Sequence, residues 1–158
     1  MDRADHLGQP VTAKPATEAD AEDWIAMRTA LWPSGGNGAH AADIAELLAD
    51  AGETVNLIAR GADGAALGFA EAALRRDYVN GCKTSPVAFL EGIFVKPEAR
   101  GHGVARALVG AVEAWGREQG CTEFASDAAP ENSASLDMHR ALGFEETQRV
   151  VFFRKVLA

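Results

Sequence analysis

The alternation of apolar and polar positions predicts helices and strands in turn along this chain. After a first dozen residues without periodicity, a short strand is expected over residues 11–16. Thr17 is typical of a helix N-cap, and the acidic residues after it suit the positive end of a helix dipole. Two apolar stripes at helical spacing follow: Trp24, Met27 and Leu31, then Ile44, Leu47, Leu48 and Ala51. They predict two helices, the second over residues 41–51, joined by a flexible glycine-rich loop over residues 33–38.

The rest of the chain is dominated by strand patterns. Residues 54–60 and 65–75 predict two antiparallel strands around a turn at residues 61–64. Residues 87–95 are nearly all apolar, as in a central strand covered on both faces. Beyond them the pattern predicts a helix over residues 103–119, a strand over 122–126, a short helix over 133–142 and a final strand over 146–156. An α/β fold with about six strands and about four helices is therefore expected.

The segment from residue 87 to residue 126 is a strand–helix–strand unit. Its two strands are expected to be parallel and joined by a right-handed crossover. Ligands of open α/β sheets bind beyond the carboxyl ends of such strands. Val95 and Ser126 mark that edge in this chain.

Composition narrows the class of protein. At 158 residues and 16.6 kDa, one core is expected: a flexible tail over residues 1–10 and a single domain over residues 11–158. The 47% of hydrophobic and 24% of charged residues argue against disorder. The apolar runs are too short to span a bilayer, and the polar amino terminus does not resemble a secretory signal. A cytoplasmic protein without membrane contact is expected.

The net charge of −8 argues against nucleic acid as a partner, because phosphate binding needs clustered Lys and Arg. It suits a cationic substrate, although acidity for solubility alone is equally compatible. The two cysteines form no CxxC pair and the four histidines are scattered, so no metal site is expected. Two free thiols are typical of a reducing compartment.

One glycine-rich turn carries a chemical signal. The run from Arg100 to Ala105, RGHGVA, leads from the predicted central strand into the following helix. Glycines allow close backbone approach, and unpaired N–H groups at a helix start bind phosphate. A tight connection without a ligand is the alternative interpretation. The turn matches neither a Walker loop nor a GxGxxG dinucleotide fingerprint.

The same turn resembles the [QR]xxGx[GA] pyrophosphate loop of the GNAT superfamily of acetyl-CoA-dependent N-acetyltransferases. Pro130-Glu131-Asn132 and Ala141-Leu142-Gly143-Phe144 resemble a second segment of that superfamily, ENxxA…LGF. The resemblance implies the GNAT acyltransferase fold, a central mixed sheet flanked by helices, across the chain after its tail.

Five further segments resemble the aminoglycoside 6'-N-acetyltransferases within that superfamily: Leu31-Trp32-Pro33, residues 77–82 (DYVNGC), residues 89–95 (FLEGIFV), Ala125-Ser126-Asp127 and residues 143–147 (GFEET). They lie outside the cofactor turn and therefore describe the acceptor side. The resemblance implies acetyl transfer from acetyl-CoA to the 6'-amine of an aminoglycoside by direct attack in a ternary complex, and hence antibiotic resistance. It also implies a homodimer, with the last strand as a candidate part of its interface.

Two carboxylates are candidates for the acid–base work. An aliphatic amine is almost fully protonated at neutral pH. A base must therefore remove a proton before the amine can attack the acetyl group. Glu91 lies inside an apolar strand, where a carboxylate is costly unless it is solvated or paired. Asp127 follows the neighbouring parallel strand and is expected to face the same crevice. We assign Asp127 as the base and Glu91 as the anchor of the ammonium; a structural acid bonded to an arginine and a turn cap are the respective alternatives.

The remaining site residues follow from the resemblance. Trp32 and Tyr78 are expected to line the aminoglycoside site, with a hydrophobic plug as the alternative for Trp32, and Gln148 stands where the related enzymes carry an acid. The strand residues Ile93, Phe94 and Val95 would pair with the pantetheine arm, and a backbone N–H near their end would stabilise the oxyanion. Arg100 opens the pyrophosphate motif, and Asn132 would bond the pantetheine region. The pyrophosphate itself is assigned to the turn and first helical residues: Gly101, His102, Gly103, Val104, Ala105 and Arg106.

His139 occupies the position where many GNAT enzymes carry a tyrosine that protonates the departing thiolate. We therefore hypothesise that His139 is a general acid. Two other functions remain open at this point. One is a GNAT enzyme acting on another cationic amine, such as a polyamine or a peptide amino terminus. The other is a non-catalytic acetyl-CoA sensor that has kept only the pyrophosphate loop.

Overall fold

The computed structural model describes residues 10–50 and 52–158. The predicted tail therefore lies, apart from Pro10, outside the described residues, as does Ala51. Five strands form one sheet in the order in which they occur along the chain. They are β1 (Thr12–Pro15), β2 (Thr54–Arg60), β3 (Ala66–Arg75), β4 (Val87–Val95) and β5 (Phe124–Ser126). The four α-helices of the described residues are α1 (Ala21–Leu31), α2 (Gly36–Ala49), α3 (Val104–Glu118) and α4 (Ser133–Ala141).

The sheet is mixed, as expected. β1 to β4 pair antiparallel, whereas β5 pairs parallel with β4. The predicted parallel strand–helix–strand unit is thus confirmed, with α3 as its crossover. Its parallel geometry brings the carboxyl ends of β4 and β5 to one edge of the sheet.

Helices cover both faces of the sheet. On one face, apolar residues of α3 such as Leu108 and Val112 pack against Leu57, Ala70 and Leu90. On the other face, Trp24 and Met27 of α1 and Ile44 of α2 pack against Phe69. The predicted stripe of α1 thus marks the buried face of this helix, because apolar side chains at helical spacing share one side.

The predicted flexible loop over residues 33–38 is wrong. Pro33–Gly35 form a short 3-10 helix, and α2 begins at Gly36. Pro33 suits the first turn of a helix, because its fixed φ is already helical. The ring of buried His40 also bonds the carbonyl of Trp32 (Nε2···O 3.0 Å). This bond ties the start of α2 to the end of α1.

The predicted final strand over residues 146–156 is not formed, so the sheet has five strands rather than about six. Residues 144–158 have neither helix nor strand structure, and the large apolar side chains from Val150 onward are exposed. A strand needs a neighbour for its backbone groups, and no strand of the described chain pairs with this segment. We call residues 145–158 the C-terminal segment.

Candidate active site

A fork between β4 and β5 is the main opening of the sheet. These strands pair only from Ala88 to Leu90 and from Phe124 to Ser126. Beyond Leu90 the edge of β4 that faces β5 has no strand partner among the described residues, although its other edge stays paired with β3 through Val95. Residues 91–95 therefore offer backbone hydrogen-bonding groups to an extended ligand, as an edge strand does.

A β-bulge lies at the start of the fork. Glu71 of β3 is opposite Gly92 and Ala72 is opposite Leu90, so Glu91 has no opposing residue. Bulges redirect side chains and are frequent beside active sites. Immediately after it, a Cβ built on Gly92 would collide with the ring of Trp32. Glycine at this position therefore lets Trp32 lie directly on β4.

Glu91 is both solvated and paired. Its two carboxylate oxygens accept three hydrogen bonds from Arg75 at 2.8–3.1 Å. The guanidinium of Arg75 lies 3.6 Å from the ring centroid of Phe89. The arginine-bonded structural role that the sequence left open for Glu91 is thus present in the structure. Its role toward a substrate stays a prediction.

A cavity of about 1580 Å³ lies along β5 and is lined by the loop after β3, the loop after β5, α4 and the C-terminal segment. Asp127, His139, Tyr78 and Gln148 all line it. Arg75, the partner of Glu91, also lines it, whereas Glu91 and Trp32 are not among its lining residues. The structure therefore brings four of the predicted side chains into one cavity and leaves Glu91 and Trp32 outside its walls.

Trp32 and Tyr78 have different environments. Tyr78 is exposed in its loop. Trp32 is half-buried and packs edge-on against Phe69, with 6.0 Å between the ring centroids. The guanidinium carbon of Arg28 lies over the Trp32 ring, 5.0 Å from its centroid. These contacts match the plug that the sequence left open for Trp32. Its contact with an aminoglycoside remains a prediction.

The loop that carries Tyr78 is held at two points. The carboxylate of Glu123 accepts hydrogen bonds from the backbone N–H groups of Lys83 and Thr84, both at 2.8 Å. A further bond from the Thr84 hydroxyl is the largest cause of the lowered pKa of Glu123. On the other side, a Cβ built on Gly81 would collide with Thr147. Two segments that resemble the aminoglycoside enzymes therefore touch each other directly.

The glycine-rich turn has the geometry of an anion site. Gly101 and Gly103 have φ values of 80° and 83°, which L side chains rarely adopt. A Cβ built on either glycine would meet no atom within 4 Å. Gly103 is the N-cap of α3, so the N–H groups of the first helical turn have no intrahelical partners. The residues present thus fit a pyrophosphate, bound through the backbone.

The side chains around this turn hold it in place. Val104 is buried in the core, so it anchors α3 and can reach a ligand only through its backbone. Arg100 donates from Nε to the carbonyl of Val95 (3.1 Å), and Arg106 donates to the carbonyl of Ala141 (3.4 Å). His102 and Ala105 occupy the exposed turn and the partly exposed first helical turn. The arginines thus connect the turn to β4 and to α4.

Asn132 caps α4. Its Oδ1 accepts a hydrogen bond from the backbone N–H of Ser135 (3.1 Å). This is a structural role that the sequence did not predict. The amide Nδ2 is the group left to serve the predicted pantetheine contact, since Asn carries two further donors there.

His139 contacts Ser126, which the sequence placed at the end of a strand but to which it gave no chemical role. Its Nδ1 lies 2.7 Å from the carbonyl oxygen of Ser135, and its Nε2 lies 2.9 Å from the hydroxyl of Ser126. The ring also packs edge-on against Phe144 at 5.1 Å. Ser126 precedes Asp127 at the end of β5. No periodicity or motif of the sequence pairs residues 126 and 139.

Neither a metal centre nor a membrane span emerges from the described residues. No group of three or more His, Cys, Asp or Glu side chains among them is placed to hold a metal ion. Within the same part of the chain, no helix has the length and apolarity to cross a membrane.

Residues 21–144 match the family model described as the acetyltransferase (GNAT) family. The chain belongs to the GNAT family. The superfamily resemblance of the glycine-rich turn and the segment over residues 130–144 is thereby confirmed. The GNAT fold with a mixed sheet, expected from the sequence, is likewise confirmed.

Close relatives confirm the narrower resemblance. The chain is 54% identical over 134 residues to the aminoglycoside N(6')-acetyltransferase type 1 of Salmonella enteritidis, covering 85% of this chain and 91% of that protein. It is 48% identical over 141 residues to the enzyme of that name from Acinetobacter baumannii, covering 89% and 95%. Among solved structures, it superposes on AAC(6')-Iy in complex with the bisubstrate analogue CoA-S-monomethyl-acetylneamine with a TM-score of 0.88 and 49% identity. That match covers 94% of this chain and 99% of the other.

Proposed function

We propose that this GNAT protein transfers the acetyl group of acetyl-CoA to the 6'-amine of aminoglycosides, by direct attack in a ternary complex, and so gives aminoglycoside resistance. The observation that carries the proposal is the extent of the identity to enzymes of that name. It reaches 54% over 85% of the chain, far more than the cofactor turn alone occupies. The similarity to those enzymes therefore extends well beyond the cofactor turn.

The fork and the turn before α3 would bind acetyl-CoA together. The pantetheine arm would lie along the free edge of β4 at Ile93, Phe94 and Val95, as an added strand does. Its pyrophosphate oxygens would accept hydrogen bonds from the backbone N–H groups of residues 101–106, at the positive end of the α3 dipole. Arg100 supports this turn through its bond to Val95. The thioester end of the arm would then lie near the bulge at Glu91.

The aminoglycoside would occupy the cavity along β5. Asp127, Tyr78 and Gln148 line this cavity, and the net charge of −8 favours the approach of a polycation. Glu91 would anchor an ammonium group from the bulge, sharing its charge with Arg75. Trp32 would support that end of the site from β4, where it lies against Gly92.

The chemistry needs a neutral amine, a stabilised oxyanion and a protonated thiolate. Asp127 would take the first proton of the 6'-ammonium, directly or through water. A backbone N–H of β4 near the fork would stabilise the tetrahedral oxyanion. His139 would serve the departing thiolate.

Thiol release from acetyl-CoA with neomycin and with paromomycin tests the proposal. The two drugs differ at the 6' position, which carries an amine in neomycin and a hydroxyl in paromomycin. We expect rapid turnover with neomycin and none above background with paromomycin. Equal turnover would place the acetylated amine elsewhere on the drug.

Two further outcomes of the same assay decide between the alternatives. Turnover with a polyamine or a peptide amino terminus, but with neither drug, would favour a GNAT enzyme for another amine. Tight acetyl-CoA binding without turnover on any amine would favour a sensor.

We further propose a homodimer in which the C-terminal segment of one copy pairs with β5 of the other. The outer edge of β5 has no strand partner in the described chain. The C-terminal segment carries two adjacent phenylalanines, Phe152 and Phe153, that are 89% and 92% exposed. Long apolar segments are rarely left in water, and exchange of such a segment between identical copies is a common route to dimers.

Light scattering coupled to gel filtration tests this dimer. We expect the unmodified chain to elute as a dimer and the variant Phe152→Asp/Phe153→Asp to elute as a monomer. Lys155→Ala, in the same segment, is the matched control and should remain dimeric. A monomeric unmodified chain at micromolar concentration would contradict the proposal.

The domain limits and the location belong to the same proposal. We infer one domain over residues 11–158, supported by a single sheet that carries both halves of the site. A cytoplasmic location is supported by the free thiols of Cys82 and Cys121, which suit a reducing compartment.

A further inference from the structure

The hydrogen bonds of His139 define which of its nitrogens carries the proton. A carbonyl oxygen can only accept, so the 2.7 Å contact between Nδ1 and the Ser135 carbonyl requires a proton on Nδ1. In the neutral ring Nε2 is then an acceptor. The hydroxyl of Ser126, 2.9 Å away, must donate to it. In the neutral ring the arrangement is therefore Ser126 O–H to His139 Nε2, with Nδ1 oriented by the Ser135 carbonyl and the Ser135 hydroxyl 3.3 Å from the same nitrogen.

This arrangement changes the role that His139 can have. Neutral His139 has no proton on Nε2 to give to a thiolate. It is instead a base toward the Ser126 hydroxyl, in the manner of a base that is oriented by a third group. Any proton that His139 delivers through Nε2 must first arrive there, and Ser126 is the group that it touches.

Ser126 lies at the point where the two substrates would meet. It is the last residue of β5 and is opposite Leu90, the last residue of β4 before the fork opens. Asp127 follows it directly in the chain, and the bulged Glu91 follows Leu90. Both Ser126 and His139 line the cavity along β5. The hydroxyl is thus half-buried between the cavity and α4.

We propose that Ser126 and His139 form a proton relay that moves the second proton of the attacking amine to the departing thiolate. The inference rests on the proposed acetyl transfer. It assigns Ser126, to which the sequence gave no chemical role, as a catalytic residue.

The steps balance without any further reactant. Attack of the neutral amine on the thioester carbonyl forms a C–N bond and leaves a positively charged nitrogen and an oxyanion. Ser126 Oγ takes one proton from that nitrogen while its own proton moves to Nε2 of His139, which becomes imidazolium. The C–S bond then breaks as the oxyanion reforms the carbonyl. The imidazolium returns its proton to Ser126 Oγ, whose other proton passes to the sulfur, so the dyad ends as it began.

Ser126→Ala is the first test, in steady-state assays with neomycin and acetyl-CoA. General acid–base groups commonly contribute at least about 100-fold, and we expect a loss in kcat of that order with both KM values changed by less than about twofold. His139→Ala should lose a similar factor. The double variant should be no slower than the slower single variant, because residues that act as one unit are not additive.

Two further variants separate catalysis from structure. Ser126→Thr keeps the hydroxyl and should recover most of kcat. Ser133→Ala removes another hydroxyl, at the start of α4, and should leave kcat unchanged. Retention of kcat within about twofold in Ser126→Ala, or independent losses that multiply in the double variant, would overturn the relay.

Nitrogen-15 NMR of the free protein tests the geometry without turnover. Neutral His139 should show a protonated Nδ1 and an unprotonated Nε2, and Ser126→Ala should shift the Nε2 resonance. A proton on Nε2 instead would overturn the relay even if the enzyme is active. If the wild-type protein shows the expected spectrum but does not turn over neomycin, the aminoglycoside proposal is overturned. The Ser126–His139 relay is then tested by the same variants with the amine that the enzyme does accept.

Discussion

Replacing Asp127 by Asn is expected to lower kcat for a 6'-amino aminoglycoside by at least about 100-fold, the usual contribution of a general base. Asn keeps the size and polarity of the side chain but cannot accept the proton of an ammonium group. Asp127 lines the cavity along β5 and follows the strand that ends at the fork. Steady-state kinetics with neomycin and saturating acetyl-CoA would measure the loss.

The matched variant Glu91→Gln is expected to behave differently. Glu91 already shares its charge with Arg75 in an exposed pair, so we expect its loss to raise KM for the drug more than it lowers kcat. Asp137→Asn, an exposed acid on α4 outside the cavity, serves as the control and should leave both constants unchanged. If the two patterns were exchanged, Glu91 would be the base and Asp127 the anchor.

Replacing Arg28 by Met is expected to cost about 3–5 kcal/mol of the free energy of unfolding, the typical loss when one partner of a buried ion pair is removed. Nε of Arg28, on α1, lies 3.5 Å from Oε2 of Glu71, on β3, and each side chain is only 8% exposed. Glu71 also accepts a hydrogen bond from Trp24 Nε1 at 2.9 Å. Without Arg28, a buried carboxylate would keep only this one neutral donor. Urea unfolding measures the change.

The loss should depend on pH in a defined direction. Burial raises the pKa of Glu71, and the charge of Arg28 opposes that rise. When the pKa of a group is higher in the folded than in the unfolded state, the free energy of unfolding falls as the pH rises through the folded-state pKa. Removing Arg28 raises the pKa of Glu71 further. The variant should therefore be most destabilised at neutral pH and approach the wild type as the medium is acidified and Glu71 becomes neutral.

Two comparisons test that explanation. Arg76→Met breaks an exposed pair with Glu53 and should change the free energy of unfolding far less than Arg28→Met does. Arg28→Met/Glu71→Met removes both charges and should recover much of the loss, since apolar replacement of a buried pair is often neutral. A loss from Arg28→Met that is equal at all pH values would show that packing on Trp32, rather than the charge of Glu71, is responsible.

This buried pair lies directly behind the fork. Glu71 is the residue opposite Gly92 in the β3–β4 register, and Arg28 stacks on Trp32, which lies on Gly92. The pair therefore orders the same stretch of β4 whose free edge would receive the cofactor.

The sequence alone was sufficient for the order of the main helices and strands up to α4 and for the cofactor turn of the site. Helical and strand periodicities depend on which side of each element is buried, so they located α3, β4 and the parallel unit. The pyrophosphate turn was also readable, because glycines with positive φ and a helix start are local features. The resemblance over short motifs then placed Asp127, Tyr78 and Gln148, which the fold brings into one cavity.

Only the tertiary structure decided how distant side chains meet. The bulge at Glu91, its pairing with Arg75, and the bond between Ser126 and His139 depend on strand register and helix packing. A shift of one residue in register would turn each strand side chain to the other face of the sheet. The C-terminal segment has the pattern of a strand, yet a strand forms only where another chain segment offers a free edge. Local pattern determines what an element can be, and the neighbours available in the folded chain determine what it becomes.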